Sequence, residues 1–333
     1  MRVLITGGAG FIGSHVVDRY LAGGWDVTVL DDLSSGRREN VPAGVELVVG
    51  DLAASDLERF LGDVEFDLVN HHAAQIDVRV SVQNPALDAR INLIGLLNLL
   101  EVVRARGMLP VVFASSGGVM YGEARVLPTP EGAPKTPFSP YGVAKLASEF
   151  YLQYYALVHG LRYVALRYSN VYGPRQNPEG EAGVVSIFCR NILKGAPLTV
   201  FGSGEQDRDF VYVKDVAEAN WLASQELVDG GEVMRGQAAS PAAAAPEDLV
   251  DGPALNIGTA RATSILELVR VLGGLVGAKL EVRHAEPRAG ELVHSTLDCS
   301  KIARRLGWSA RTPLAEGLDE TYRYFASLRG ASA

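Results

Sequence analysis

With 333 residues, a formal net charge of −8 and 47% hydrophobic residues, the chain can bury a large core and has the composition of an ordinary globular protein. The acidic balance, without a long basic run, excludes nucleic acid as the main partner, while a few local arginines still admit an anionic small molecule. No apolar run reaches membrane-spanning length, no signal-like segment precedes the first strand, and Cys189 and Cys299 cannot build a disulfide framework. A cytoplasmic protein without a membrane partner is expected.

Residues 2–6 read as a short buried strand running into Thr6-Gly7-Gly8-Ala9-Gly10-Phe11-Ile12-Gly13, and a helical pattern with Val16, Val17, Tyr20 and Leu21 follows. The loop satisfies G-x-G-x-x-G through Gly8, Gly10 and Gly13 in the strand–loop–helix setting that the motif requires. Glycines let the backbone approach a pyrophosphate, and the helix N-terminus adds amide donors and a positive dipole. Gly7, Gly10, Phe11, Ile12 and Gly13 are therefore expected to hold a dinucleotide.

A second strand over 26–30 ends at Asp31-Asp32, and Asp31 stands eighteen residues after Gly13. A carboxylate there accepts from the adenosine ribose diol and repels a 2′-phosphate, so the cofactor is expected to be NAD, with Ser35 and Gly36 in the adjoining loop. Arg37 and Arg38 are read as a solvated loop. A third strand, 45–49, leads to Asp51 and Leu52, where an Asp can meet the adenine amino group. A fourth, 66–70, leads to Ala73, Ala74 and Gln75 over the cofactor. His71 and His72 point to opposite faces, lack further ligands at metal spacing and read as structural; no metal is expected. A helix over 91–103 and a strand over 110–114 complete a further unit. The alternation predicts an α/β fold, a doubly wound parallel Rossmann-type sheet.

Ser139-Pro140-Tyr141-Gly142-Val143-Ala144-Lys145 carries the chemistry. Ser139 suits an N-cap, Pro140 a first helical residue, and Tyr141 and Lys145, four apart, share one helix face. A nearby ammonium favours the phenolate of a tyrosine and makes it a usable base near neutral pH. The helix is expected to reach residue 159, with Leu146, Phe150, Tyr154 and Leu157 as an apolar stripe, and a sixth strand spans 163–167. After Gly173-Pro174 the pattern weakens into a smaller α+β substrate lobe. Residues 1–172 are assigned to the NAD-binding domain, to which the chain returns near 207–226, and 173–328 mainly to the substrate lobe. The stretch 229–253, with its Ala-rich run, reads as a mobile surface insertion.

Together TGGAGFIG at 6–13, DL at 51–52, HAAQ at 72–75, YGVAK at 141–145, RYSNVYGPRQ at 167–176, GSGEQDRDFVYVKDVA at 202–217 and RAGE at 288–291 resemble the extended short-chain dehydrogenase/reductase family, in its nucleotide-sugar epimerase/dehydratase branch. The resemblance implies Tyr141 and Lys145 as the catalytic pair, with Lys145 also on the nicotinamide ribose. It puts Asn92, Ala114 and Tyr168 on the cofactor side and Asn170 on a substrate phosphate. Arg208 and Arg288 clamp the diphosphate, since guanidinium matches phosphate oxygens with paired donors. Glu291 takes the nucleoside ribose, Leu198, Thr199 and Phe201 frame the base, and Val184, Val185 and Gln206 add substrate contacts.

The family usually has Ser or Thr four residues before the Tyr of its Tyr-Gly pair; here that position is Gly117, and Ser116 is the expected hydroxyl, with Ser115 second. The Asp-Glu pair of the family's 4,6-dehydratases is replaced by Gly118 and Val119, and its decarboxylases usually carry Glu at the latter position; both activities are disfavoured. What the resemblance implies is an NAD-dependent UDP-sugar 4-epimerase acting through a transient 4-keto sugar. The alternative is a 4-ketoreductase or dehydrogenase of the same family. Ser295, seven after Arg288, leaves room for an N-acetyl group, so UDP-GlcNAc joins UDP-glucose as a substrate, and UDP-glucuronate stands too because the Ser/Gly-rich 115–118 loop can receive a C6 carboxylate through its amides. Helices at 91–103 and 141–159 are expected to pair across a two-fold axis in a homodimer.

Overall fold

The computed structural model describes residues 1–54, 56–179, 183–230, 250–287 and 292–330. Strands β1 (Arg2–Thr6), β2 (Asp26–Asp31), β3 (Glu46–Val49), β4 (Leu68–His71), β5 (Val111–Ser116) and β6 (Tyr163–Tyr168) form a parallel sheet in the order β3-β2-β1-β4-β5-β6, which a further strand, Ala254–Ile257, completes beside β6. This is the Rossmann order, with the switch point between β1 and β4.

Side chains alternate across the sheet, so each strand feeds two cores. Val3 and Ile5 of β1 join Val16, Val17 and Tyr20 of helix α1 (Phe11–Ala22) and Val216, Ala219 and Trp221 of the helix Val213–Asp229. Leu4, between them, faces the opposite core with Leu96, Leu99 and Leu100 of Gly95–Ala105 and Leu152 of Pro140–His159. Each such side chain contributes about 1.5–3 kcal/mol by leaving water. A third core, with Tyr172, Phe188, Leu198, Val200, Leu268 and Leu318, underlies the lobe beyond β6.

Three expectations change. The seventh strand was not anticipated: its four residues, Ala-Leu-Asn-Ile between Pro253 and Gly258, are too few to show a period. The helix expected over 91–103 begins as a π-helical turn, Arg90–Ile94, before the regular helix Gly95–Ala105. The described ends of the stretch expected as a surface insertion, 229–253, belong to the fold. Asp229 ends a helix capped by left-handed Gly230, Val250 and Asp251 are buried, and 231–249 lie outside the described residues.

Candidate active site

The C-terminal ends of β1, β2, β4 and β5 open into a cleft of about 330 Å³. Gly7 adopts φ +70, and a Cβ there would stand 2.6 Å from Ala73 N, so only glycine lets the loop close against the end of β4. A Cβ on Gly13 would stand 2.2 Å from Gly7 O, which lets α1 pack on its own loop. The N-cap of α1 is Gly10, with no side-chain cap, so the first amides and the positive end of the helix face the cleft.

Asp31 Oδ2 accepts from Ala9 N at 3.0 Å and Oδ1 from Leu33 N at 2.9 Å, while burial pushes the carboxyl pKa up. Gly36 lies behind it, where a Cβ would come within 2.7 Å of Asp31 Oδ1. Arg37 and Arg38 are exposed and do not line the cleft.

Of the residues expected around a dinucleotide, Gly7, Gly10, Phe11, Ile12, Gly13, Asp31, Asp32, Ser35, Asp51, Leu52, Ala73, Ala74, Gln75, Ala114, Tyr141, Lys145 and Tyr168 all line this cleft. Asn92 does not. It is buried behind the wall, accepting from Gln75 N at 2.9 Å and donating to Gln75 O at 2.9 Å and Asp88 Oδ1 at 3.0 Å, so it holds Gln75 in place. The cleft also takes residues that the motifs did not flag, among them Ser34, Gly50, Ile76, Asp77, Ile91 and Asn177. Ser34 and Gly50 adjoin flagged residues, and Asn177 directly follows the RYSNVYGPRQ stretch, in which only Tyr168 and Asn170 carry predicted roles.

His72, read as structural, lines the cleft too. Its ring stacks on Tyr168 (6.2 Å, 18°), and burial and the Lys145 charge lower its pKa to about 3. His71 faces the other way, buried against Thr6 Oγ1 at 2.7 Å.

The reactive helix forms as its sequence dictates: Ser139 Oγ accepts from Gly142 N at 3.1 Å, and Pro140 opens the first turn. Lys145 is buried; its Nζ donates to Ala114 O at 2.9 Å and stands 5.8 Å from the Tyr141 ring centre. Burial lowers the Lys145 pKa to about 8, against the opposing pull of Asp88 and Glu149. The tyrosine therefore sits beside a cation held in low dielectric, where its field is strong.

Ser115 and Ser116 part company at the end of β5. Ser115 Oγ donates to Glu149 Oε1 at 2.5 Å, inside a buried network in which Arg167 binds Glu149 (2.6 Å), Asp251 (2.8 Å), Tyr121 Oη (3.0 Å) and Glu131 O (3.0 Å). Lys135 pairs with the same Asp251. Ser116 caps the short helix Gly117–Met120 without a side-chain cap bond and stays partly exposed, but it is Ser115, not Ser116, that lines the cleft. A Cβ on Gly117 would meet Leu297, and one on Gly118 would stand 3.9 Å from Asn170 Oδ1, so this turn and Asn170 face one another.

Farther out, Thr199 and Phe201 alternate with Leu198 and Val200. Leu198 and Val200 are buried in the lobe's core, so Leu198 is removed from the set framing a ligand. Val185 is likewise turned into that core, leaving Val184 partly exposed at the start of its helix. Gln206 Nε2 donates to Phe201 O at 2.9 Å, and the half-buried Arg208 donates to Asp207 O at 2.7 Å. Ser295 is buried, its amide on Asp207 Oδ1 at 3.3 Å. Arg288 and Glu291 lie outside the described residues.

A sequence model described as the NAD dependent epimerase/dehydratase family matches residues 3–235. The chain belongs to that family. Among family members, it is 41% identical over 330 residues to a UDP-glucose 4-epimerase of Mycolicibacterium smegmatis, covering 98% of each chain. It superposes with TM-score 0.88 and 41% identity on a Thermotoga maritima UDP-glucose 4-epimerase solved with UDP-glucose, covering 99% of this chain and 100% of that one. A Thermus thermophilus UDP-glucose 4-epimerase solved with NAD matches with TM-score 0.86 and 41% identity, over 98% of this chain and 99% of that one.

The cleft fits the family's cofactor. The space at Gly7 and Gly13 would be filled by any side chain, Gly10 leaves the helix N-terminus open, and Asp31 stands at the tip of β2, the place from which folds of this type offer a carboxylate to a ribose diol. The cofactor is NAD.

Proposed function

We propose that the chain inverts C4 of a UDP-hexose, with Tyr141, Lys145 and Ser116 acting at the sugar's O4. The observation that carries this reading is the placement of Tyr141 and Lys145 in the same cleft as the glycine loop and Asp31. NAD, when bound, supplies reversible hydride exchange at C4, so the net reaction is an isomerisation.

Tyr141 Oη takes the proton from O4 and returns it once the sugar has turned over. Lys145, oriented by Ala114 O, keeps a positive charge beside that phenolate and reaches the nicotinamide ribose. Ser116 donates to O4; the commitment of Ser115 to Glu149 supports that choice. Asn170, Arg208 and Arg288 hold the diphosphate and Glu291 the ribose, while Gly117, Val184, Thr199, Phe201 and Gln206 shape the remainder of the pocket. In this division 1–172 and 207–226 serve the cofactor and 173–328 mainly the sugar nucleotide.

The working unit is a homodimer in the cytoplasm. Val143, Phe150, Tyr154, Leu157 and Val158 of Pro140–His159 leave about half of each side chain exposed, between 41% and 59%, and Ile94 adds 47%. An apolar face of this kind on two neighbouring helices suits a second copy. No helix among the described residues is long and apolar enough to cross a membrane.

The test is to incubate the protein separately with UDP-glucose, UDP-GlcNAc and UDP-glucuronate and follow the anomeric protons by NMR. A second anomeric signal growing to a fixed ratio, without NADH release, establishes epimerisation and names the sugar. No turnover of any of the three with NAD supplied rejects the reading, and stoichiometric consumption of NADH by a 4-keto sugar would favour the reductase.

A further inference from the structure

The loop that follows the short strand Asn170–Tyr172 carries a residue into the cofactor cleft. Asn177 lines the cleft together with Gly10, Phe11 and Ile12, although 164 residues separate it from Gly13 in sequence. Its Oδ1 accepts from Glu179 N at 3.0 Å, which orients the side chain and turns its NH2 group the other way. The backbone leading to it is pinned to α1 at two points: His15 Nε2 bonds Pro174 O at 3.0 Å, and Arg175 pairs with Asp18 Oδ2 at 2.7 Å. Burial lowers the His15 pKa to about 4, so the ring is neutral and its Nε2–H donates to that carbonyl. Arg175 itself is held at φ +67, a left-handed conformation that a non-glycine residue adopts only under constraint from its surroundings. The anchor helix is the one whose N-terminal amides open onto the cleft.

We propose that Asn177 is a cofactor-binding residue, its side-chain amide donating to the pyrophosphate of the bound dinucleotide, with His15, Asp18 and Arg175 as the positioning residues that present it. The proposal rests on NAD as the resident cofactor and is independent of which sugar is turned over. The dinucleotide is then gripped twice: by backbone amides of α1, and by a side-chain amide that α1 itself holds in place. The arrangement slows NAD release.

The experiment loads the full chain with NAD, removes the excess by gel filtration and measures the rate at which NAD leaves on dilution. Asn177→Ala should release NAD about tenfold faster, the scale of one lost hydrogen bond to a charged group. Asn177→Asp is the discriminating variant. It keeps the acceptor for Glu179 N but replaces the donor with a carboxylate, so release should be faster still than in the alanine variant. Release from Asn177→Asp at the wild-type rate would mean that the side chain serves only the loop, and overturns the proposal. Asp18→Ala should also speed release, and the charge-exchanged pair Asp18→Arg with Arg175→Asp should slow it again; equal rates in Asp18→Ala and wild type would reject the positioning role. A wild-type protein that retains no NAD at all would instead reject the cofactor assignment, and this proposal with it.

Discussion

A Cβ placed on Gly117 would stand 2.6 Å from Cδ1 of Leu297, a side chain buried at 1% exposure. The space that a side chain at position 117 needs is thus taken by a leucine 180 residues away in sequence, whose backbone amide is fixed by Asp209 Oδ2 at 3.3 Å. Glycine at 117 and leucine at 297 are one structural choice.

Gly117→Ser should destabilise the protein by about 1–3 kcal/mol through overpacking, and Leu297→Ala by about 2–5 kcal/mol through the cavity it leaves. The two together should cost less than the sum, because each relieves the other. Urea unfolding of the four proteins measures the coupling, and strict additivity would show that the two sites do not compete for space.

Tyr141→Phe should lower kcat by about 10²–10⁴ while leaving NAD in place. Ser116→Ala should lower it by about 10²–10³, as for loss of one donor to a developing oxyanion. Ser115→Ala should act mainly on stability, since its hydroxyl belongs to Glu149. Turnover and urea midpoints separate the two serines; a larger kcat loss in Ser115→Ala than in Ser116→Ala would reverse their roles.

The contribution of Lys145 to stability should rise with pH above about 8. Lys145 is held near 8 in the fold, against an ordinary 10.5. Between those values the unfolded chain holds more protons than the folded one, so raising the pH removes a penalty that is fully present below about 8. Lys301, also buried and lowered to about 8, acts with the same sign. Lys145→Met should therefore flatten the rise and be the more stable protein at pH 7, while losing activity. Urea unfolding from pH 7 to 10 checks this, and identical profiles for variant and wild type would count against a buried ammonium.

Glu149→Gln should cost about 3–5 kcal/mol, because Arg167 is fully buried and would lose half of its counter-charge. Glu149 lies on the same helix face as Lys145, four residues on, and also ties this helix to Ser115 of β5. Urea unfolding gives the stability, and a loss below about 1 kcal/mol would mean that Asp251 alone satisfies the guanidinium.

Phe150→Asp with Val158→Asp should convert a dimer into a folded monomer, since both side chains are more than half exposed on one helix. Light scattering reads the mass; an unchanged oligomer would place the interface elsewhere.

Some of this was legible in sequence because it is local. The glycine loop, Asp31 eighteen residues on, and the Tyr141/Lys145 pair depend on contacts within one strand–loop–helix unit or one helical turn, and the spacing of residues reports such contacts directly. Strand and helix periods marked the first six strands for the same reason. Tertiary structure decided what depends on partners far apart in the chain. Asn92 and Val185 were turned away from ligand by hydrogen bonding and core packing, and Leu198 by the alternation of its own strand. Asp251 was drawn from a stretch of surface-like composition into a buried ion network because Arg167 needed a second carboxylate. Leu297 reserved the space beside Gly117, and α1 brought Asn177 into the cleft. Composition and spacing carry no record of such pairings, because the forces that set them, exclusion of overlapping volume and pairing of buried charge, act only once the chain has folded.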